Sequence, residues 1–167
     1  NASIKKPTID FGTSTVGGKL TATATTGGIT ESGAITTGAS GSSFTASTSG
    51  QAINLGTQSN AMTNDVTFVT TGSTGNVSFK NSGGINFNTT TIGGALTAVA
   101  ITGNITESGV ITTGATGNSF TTQTSNATIN LSTQTNAFTG SVALNTTGAA
   151  GNASIKNPAL EFGTSTV

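Results

Sequence analysis

Gly17-Gly18-Lys19-Leu20-Thr21-Ala22-Thr23-Ala24-Thr25-Thr26-Gly27-Gly28-Ile29-Thr30-Glu31-Ser32-Gly33 is the stretch whose reading decides the fold, because it occurs twice. It returns as Gly93-Gly94-Ala95-Leu96-Thr97-Ala98-Val99-Ala100-Ile101-Thr102-Gly103-Asn104-Ile105-Thr106-Glu107-Ser108-Gly109. The match runs without a gap from Gly17–Gly75 onto Gly93–Gly151, with roughly 37 of 59 positions identical. Self-similarity at a fixed period is the signature of a repeat architecture. Asn1-Ala2-Ser3-Ile4-Lys5 also comes back, as Asn152-Ala153-Ser154-Ile155-Lys156. Residues 1–167 therefore read as one continuous array, with units 1–75 and 76–151 and a partial unit 152–167.

Composition narrows the class. Lys and Arg together number five, Asp and Glu five, and Cys, His, Trp and Tyr are absent. Disorder goes with low hydrophobicity and high net charge, whereas this chain is neutral and keeps a steady supply of Ile, Leu, Val and Phe. Without a basic patch there is nothing to neutralise phosphates, which argues against nucleic-acid binding. No apolar run is long enough to span a bilayer as a helix. The lack of Cys excludes disulfides and thiolate metal sites and is compatible with export of an unfolded chain. Solenoids carry atypical capping repeats at their ends. None is visible, so the sequence is expected to be a segment of a longer protein.

The units act as a substitution experiment within one molecule. Ile4/Phe79/Ile155, Ile9/Ile85/Leu160, Phe11/Phe87/Phe162, Met62/Phe138 and Phe68/Leu144 exchange apolar for apolar, and Leu20/Leu96, Ile29/Ile105, Phe44/Phe120 and Ile53/Ile129 do not change. Polar positions drift freely, as at Lys19/Ala95 and Asp65/Ser141. The conserved apolar positions alternate, as in Ile9 and Phe11, Ile53 and Leu55, and Val77 and Phe79, which is the period of a half-buried strand. Gly-Gly, Ser-Gly and Thr-Gly pairs between the runs are turn chemistry. Pro occurs only at Pro7 and Pro158, one place in the repeat, where a strand begins or a turn closes.

An inner rhythm divides each unit. Leu20-Thr-Ala…Ile29, Phe44-Thr-Ala…Ile53 and Val66-Thr-Phe…Val77 overlay, predicting about three coils per 75–76-residue repeat, each of roughly 22 to 30 residues. The antiparallel alternatives, a sandwich or an up-and-down barrel, need Asn-Gly or Asp-Gly hairpins, and neither dipeptide occurs. The expectation is an all-β parallel β-helix, a β-solenoid. Its six to seven coils would make a rod of about 30 Å at strand spacing.

The pattern Gly-Gly-x-Leu-Thr-x-x-Ala…Gly-x-Ile-Thr-Glu-Ser-Gly, then Ile-Asn-Leu…Asn-Ala-Met/Phe, then Leu-Glu-Phe-Gly-Thr-Ser-Thr-Val, resembles the repeats of filamentous-haemagglutinin-like exoproteins, which are commonly exported by two-partner secretion. The resemblance covers nearly the whole chain. It implies a right-handed helix and the stalk of a bacterial surface adhesin or extracellular filament, secreted and cell-surface. The family's N-terminal secretion domain has no counterpart in these residues.

The residues point to no catalytic, cofactor-binding or metal site. Glycosidase chemistry needs two carboxylates about 5–9.5 Å apart. Glu31 and Glu107 are equivalent positions expected three coils, or roughly 14 Å, apart on one face. They read instead as turn carboxylates capping backbone N–H groups. Asp10 and Glu161 are equivalents two units apart. Lys5, Lys80 and Lys156 recur once per unit and are expected to form a sparse stripe that discourages edge pairing. Asn60 and Asn136 suit inward Asn ladders. Gly17-Gly18 and Gly93-Gly94 read as corner glycines rather than phosphate loops. Val99 and Ile101 replace the outward Thr23 and Thr25, interrupting any Thr-x-Thr row for ice and suggesting an exposed apolar contact between shafts. The expected role is a non-catalytic shaft whose partners are other shafts or neighbouring repeats. The alternative is direct binding of a carbohydrate, host surface or ice along the Thr/Asn faces.

Overall fold

The computed structural model describes residues 1–167. The chain is all strand and turn. The first turn comprises β1 (Ala2–Lys6), β2 (Ile9–Phe11) and β3 (Ser14–Val16), and the second β4 (Leu20–Ala24), β5 (Ile29–Glu31) and β6 (Ile35–Thr37). In the third, β7 (Ser42–Ala46) leads into β8 (Ile53–Met62), whose first half pairs with β5 and whose second half pairs with β6. β9 (Val66–Val69) closes the unit. Then follow β10 (Val77–Asn81), β11 (Ile85–Phe87), β12 (Thr90–Ile92), β13 (Leu96–Ala100), β14 (Ile105–Glu107) and β15 (Ile111–Thr113). The remainder is β16 (Asn118–Ser125), β17 (Ile129–Leu131), β18 (Ser141–Thr147), β19 (Ala153–Ile155) and β20 (Glu161–Phe162).

Strand pairing is parallel throughout and always to the turn above or below. One path runs β1-β4-β7-β9-β11-β14-β17-β19 and the other β2-β5-β8-β10-β13-β16-β18-β20. This is a parallel β-solenoid. Eight rungs make about seven turns and a length of roughly 34 Å, slightly more than the sequence suggested. The turns are shorter than expected: Ala2 lies against Leu20 and Val77 against Leu96, steps of 18 and 19 residues, whereas Ser42 against Val66 takes 24. Short turns are reached by tight corners such as Pro7-Thr8, where the Pro7 carbonyl accepts the N–H groups of Thr26 and Gly27 from the next turn.

Register follows the alternation, with one correction. Ile29, Ile53 and Val77 share a column as the overlay requires. Phe44 does not share one with Leu20 and Val66, because Leu20 is followed by Ser42 and then Val66, while Phe44 lies between Ala22 and Phe68. The overlay was two residues out along that strand. A shift of two keeps every side chain on its own face, so the inward set is the one expected.

The more consequential finding is the phase of the repeat. β4 and β13 are the same element in two units, yet β4 belongs to the path begun by β1 and β13 to the path begun by β2. The exchange between the two paths is mutual: β11 and β14, the equivalents of β2 and β5, fall on the path begun by β1. β19, the equivalent of β1 two units on, is back on that path seven steps later. A unit therefore makes three turns and a half, and each equivalent strand arrives on the opposite side of the shaft. The handover occurs at β9, which lies on β7 below but meets Phe87 of β11 and Thr91 of β12 above.

Inside, thirty buried residues form one core cluster. A string of rings runs through it, Phe11–Phe44–Phe68–Phe87–Phe120–Phe138 with Phe79 beside Phe68, at centroid separations of 5.3–6.4 Å. Corners are where side chains have no room. A Cβ on Gly38 would lie 2.0 Å from the backbone oxygen of Gly17, and its equivalent Gly114 would meet Gly93 at 2.4 Å. Gly38→Ala should therefore cost about 1–3 kcal/mol by overpacking, read as a loss of thermal or denaturant stability. Gly50 has a φ of +79° and its equivalent Asn126 a φ of +65°. Asn is among the few other residues that tolerate this region, so Gly50→Asn should change stability by less than about 1 kcal/mol whereas Gly50→Val should lose more.

Candidate functional site

Two kinds of polar feature stand out, one inside the shaft and one on its surface. The internal one is built twice. Glu31 ends β5 pointing inward and is 8% exposed; Glu107 ends β14 and is 6% exposed. The Glu31 carboxylate accepts the backbone N–H of Gln58 at 2.7 Å, the amide of Asn60 at 2.8 Å and the hydroxyl of Thr57 at 3.2 Å. Glu107 accepts from Gln134, Asn136 and Thr133 at 2.8, 2.8 and 3.3 Å. Asn60 in turn accepts the N–H of Ile35 at 2.8 Å and donates to the Leu55 carbonyl at 3.0 Å, and Asn136 does the same with Ile111 and Leu131.

The expected backbone capping by these glutamates is thus present, but the capped corner is one turn above and the carboxylate is buried. No buried side-chain polar atom is left without a partner. A buried charge held by neutral donors is tolerated because those donors replace its water. Each cluster clamps a six-residue corner, from Leu55 to Asn60 or Leu131 to Asn136. The predicted inward Asn ladder is also real. Asn60 lies in register with Asn81, whose side chain accepts the Met62 N–H at 2.8 Å and donates to the Gly84 carbonyl at 2.7 Å. Asn157 repeats this bond to the Phe138 N–H at 2.8 Å.

Sequence reasoning missed Asn81, Asn118 and the buried Thr70 and Thr146, because polar residues at inward positions break the apolar alternation. Asn118 accepts the N–H of Leu96 at 3.0 Å, and Thr70 and Thr146 donate to the carbonyls of Gly75 and Gly151, closing equivalent turns. The available signal was position: Asn81 and Asn157, like Thr70 and Thr146, are identical across units.

On the surface the carboxylates are dispersed. Asp10 accepts the hydroxyls of Thr30 and Ser32 at 2.9 Å each. In the next unit Asn86 occupies that place and accepts Thr106 at 2.9 Å, while Ser108 reaches Asp65 at 3.1 Å instead. Asp65 also takes the amide of Asn86. The carboxylate lost at position 86 is thus supplied from the rung below, beside the handover strand β9. In the partial unit the arrangement inverts again, with Glu161 in register with Ser141. No group of three or more His, Cys, Asp or Glu converges anywhere.

Two corrections follow from the phase. Glu31 and Glu107 do not lie on one face, since β5 and β14 belong to different paths. The lysines do not form a stripe either. Lys5 is carried by β1 and Lys80 by β10, again on different paths, while Lys156, just past β19, is back on the side of Lys5 two units on. Val99 and Ile101 are half-buried, and Val99 is flanked in register by Lys80 and Thr121. They form no open apolar patch; the exposed large apolar side chains are Phe162 and Val167.

Two of the shallow grooves on the surface lie at the handover, and another, of about 390 Å³, runs along Ala52, Asn54, Ser78 and Thr97. Of the two at the handover, one of about 420 Å³ is bordered by Met62, Asn64, Asp65, Asn86, Asn104 and Thr106. The other, of about 270 Å³, lies on the far side of Asn64 and Asp65 and is closed by Lys19, Ser43 and Asn88. The polar groups in both are amides, hydroxyls and the Asp65 carboxylate, which hydrogen-bond a polyhydroxylated ligand; Ala61, Met62 and Ile85 add an apolar wall to the first and Lys19 a cation to the second.

Neither a curated protein nor a solved structure matches the chain. A family profile does, once over residues 1–69 and again over 74–145, one match to each unit. On that ground the chain belongs to the family described as repeats of unknown function (DUF5649).

Proposed function

We propose that this segment is a structural shaft, a non-catalytic spacer in a secreted bacterial surface adhesin or extracellular filament. The observation that carries the reading is the unbroken parallel ladder of eight rungs around a continuous aromatic string, with every buried polar side chain satisfied. Stability in such a stack is close to a sum over neighbouring turns, so length is gained without loss of stiffness. The haemagglutinin-like resemblance supports the extracellular placement. Other shafts or adjoining repeats are the natural partners. Pulling the segment between its ends tests the role, since forced unfolding is governed by the unfolding rate. A shaft should give high, turn-by-turn rupture forces; extension at forces typical of a loose coil would refute it.

A second reading rests on the grooves flanking Asp65, whose Asn64, Asn86 and Asn104 amides favour direct recognition of a glycan. Retained binding of the isolated segment on a glycan array, abolished by Asp65→Ala, would favour it over the spacer. Ice binding has less support. The outward column Lys5–Thr23–Thr45–Val69 and the column Lys80–Val99–Thr121–Asn145 are both mixed, so neither offers a regular Thr surface.

A further inference from the structure

We infer that the repeat sets successive copies of each exposed motif on opposite sides of the shaft, so that bulky globular partners can occupy neighbouring units at the same time. The inference rests on strand register alone and holds whether or not the segment is a spacer. Seven steps from β1 to β19 over two units advance each unit by about 17 Å along the axis at strand spacing, and by half a turn around it. A repeat of whole turns would place all copies of a motif in one row. Partners wider than that short step would then exclude one another from neighbouring units. Rotation removes the conflict, and a motif regains its starting face only after two units and seven turns, as β19 does on the path of β1.

Particular residues show it. Lys5 and Lys80 are equivalents, yet Lys5 stacks with Thr23 in the path of β1 and Lys80 with Val99 in the path of β2. Thr30 and Thr106 are equivalents, yet β5 and β14 lie on different paths. The carboxylate that holds Ser32 or Ser108 travels with the motif, Asp10 serving the first and Asp65 the second. The outward chemistry is therefore re-created on the new face. The surface fits globular partners bound one to a unit from different sides, and does not fit a flat lattice that needs many units in one plane.

The absence of Cys makes the test direct. Lys5→Cys, Lys80→Cys and the double variant would be coupled to a long-armed biotin maleimide and saturated with monovalent streptavidin, a globular probe much wider than the axial step. Each single variant should take up one streptavidin and the double variant two, read as particle mass. Thr30→Cys with Thr106→Cys gives an independent pair and should behave alike. A double variant of either pair that holds only one streptavidin, while its single variants hold one each, would overturn the inference.

Discussion

Phe68→Ala should destabilise the shaft by about 3–5 kcal/mol, the usual cost of emptying a fully buried aromatic position. Phe68 has no exposed surface and touches three rings, Phe44 at 5.7 Å, Phe79 at 5.3 Å and Phe87 at 6.4 Å. Backbone ladders hold the rungs on either side about 4.8 Å apart, so the core has little freedom to collapse into the cavity. The loss should also be local. In a stack of nearest-neighbour contacts, hydrogen exchange should accelerate most in β7, β9, β10 and β11 and least near Ile129. Phe68→Leu should be far milder, because its equivalent in the second unit is Leu144, itself buried. Uniform acceleration along the whole chain would show that the stack melts as one unit.

Asn60→Ala is the second large effect, expected to cost about 2–4 kcal/mol from several buried hydrogen bonds, one of them to a charge. The substitution strips the Ile35 N–H of its acceptor and the Glu31 carboxylate of one donor, and frees the Leu55 carbonyl. Glu31→Gln should also destabilise, though less. Its amide can still accept from Gln58, but one of its two side-chain heteroatoms then presents N–H groups to the Asn60 amide, donor against donor. Asn136→Ala should match Asn60→Ala in size, since its partners and distances are nearly the same. Denaturant melts of the three variants check this. Near-wild-type stability of Asn60→Ala would mean that the clamp contributes nothing.

These two variants also show what a reader of the sequence can see. Phe68 was legible, because an apolar exchange with Leu144 at a period-two position has one physical meaning: it points inward. The parallel solenoid followed from the same alternation joined to the long repeat. The column position of Phe44 was not legible, because Ser42 and Ser43 open β7 with polar residues and hide where the strand begins. Ser42 is buried and its hydroxyl lies 3.4 Å from the Leu20 N–H, so it fills an inward place that the pattern leaves blank. Glu31 was seen as a capping residue, but its burial was not, since nothing local says that the corner it caps lies a full turn ahead. The clue was joint: Glu31, Gln58 and Asn60 are all preserved as Glu107, Gln134 and Asn136, while Ser47, Gly56 and Asp65 are not.

The phase of the repeat was the hardest feature to read. Alignment of two units fixes which residues are equivalent, not which face they occupy, and 76 residues divide as readily into three coils as into three and a half. The difference lies in corner length. Compact corners such as Pro7-Thr8 let the turn that starts at Ala2 close in 18 residues, and the space saved is taken by β9. The stripe of lysines and the single row of glutamates failed together for this one reason.

The register at β9 is the point on which the account turns, and paired cysteines read it directly. Outward residues in register on neighbouring strands lie about 4.8 Å apart, within bridging range of a disulfide. Val69 sits between Thr45 below and Thr91 above. Under mild oxidation Val69→Cys should therefore cross-link with Thr45→Cys and, in a separate variant, with Thr91→Cys. A winding of three whole turns per unit would instead bring Lys80 over Val69. If Val69→Cys bridges to Lys80→Cys and not to Thr91→Cys, the extra half turn does not exist.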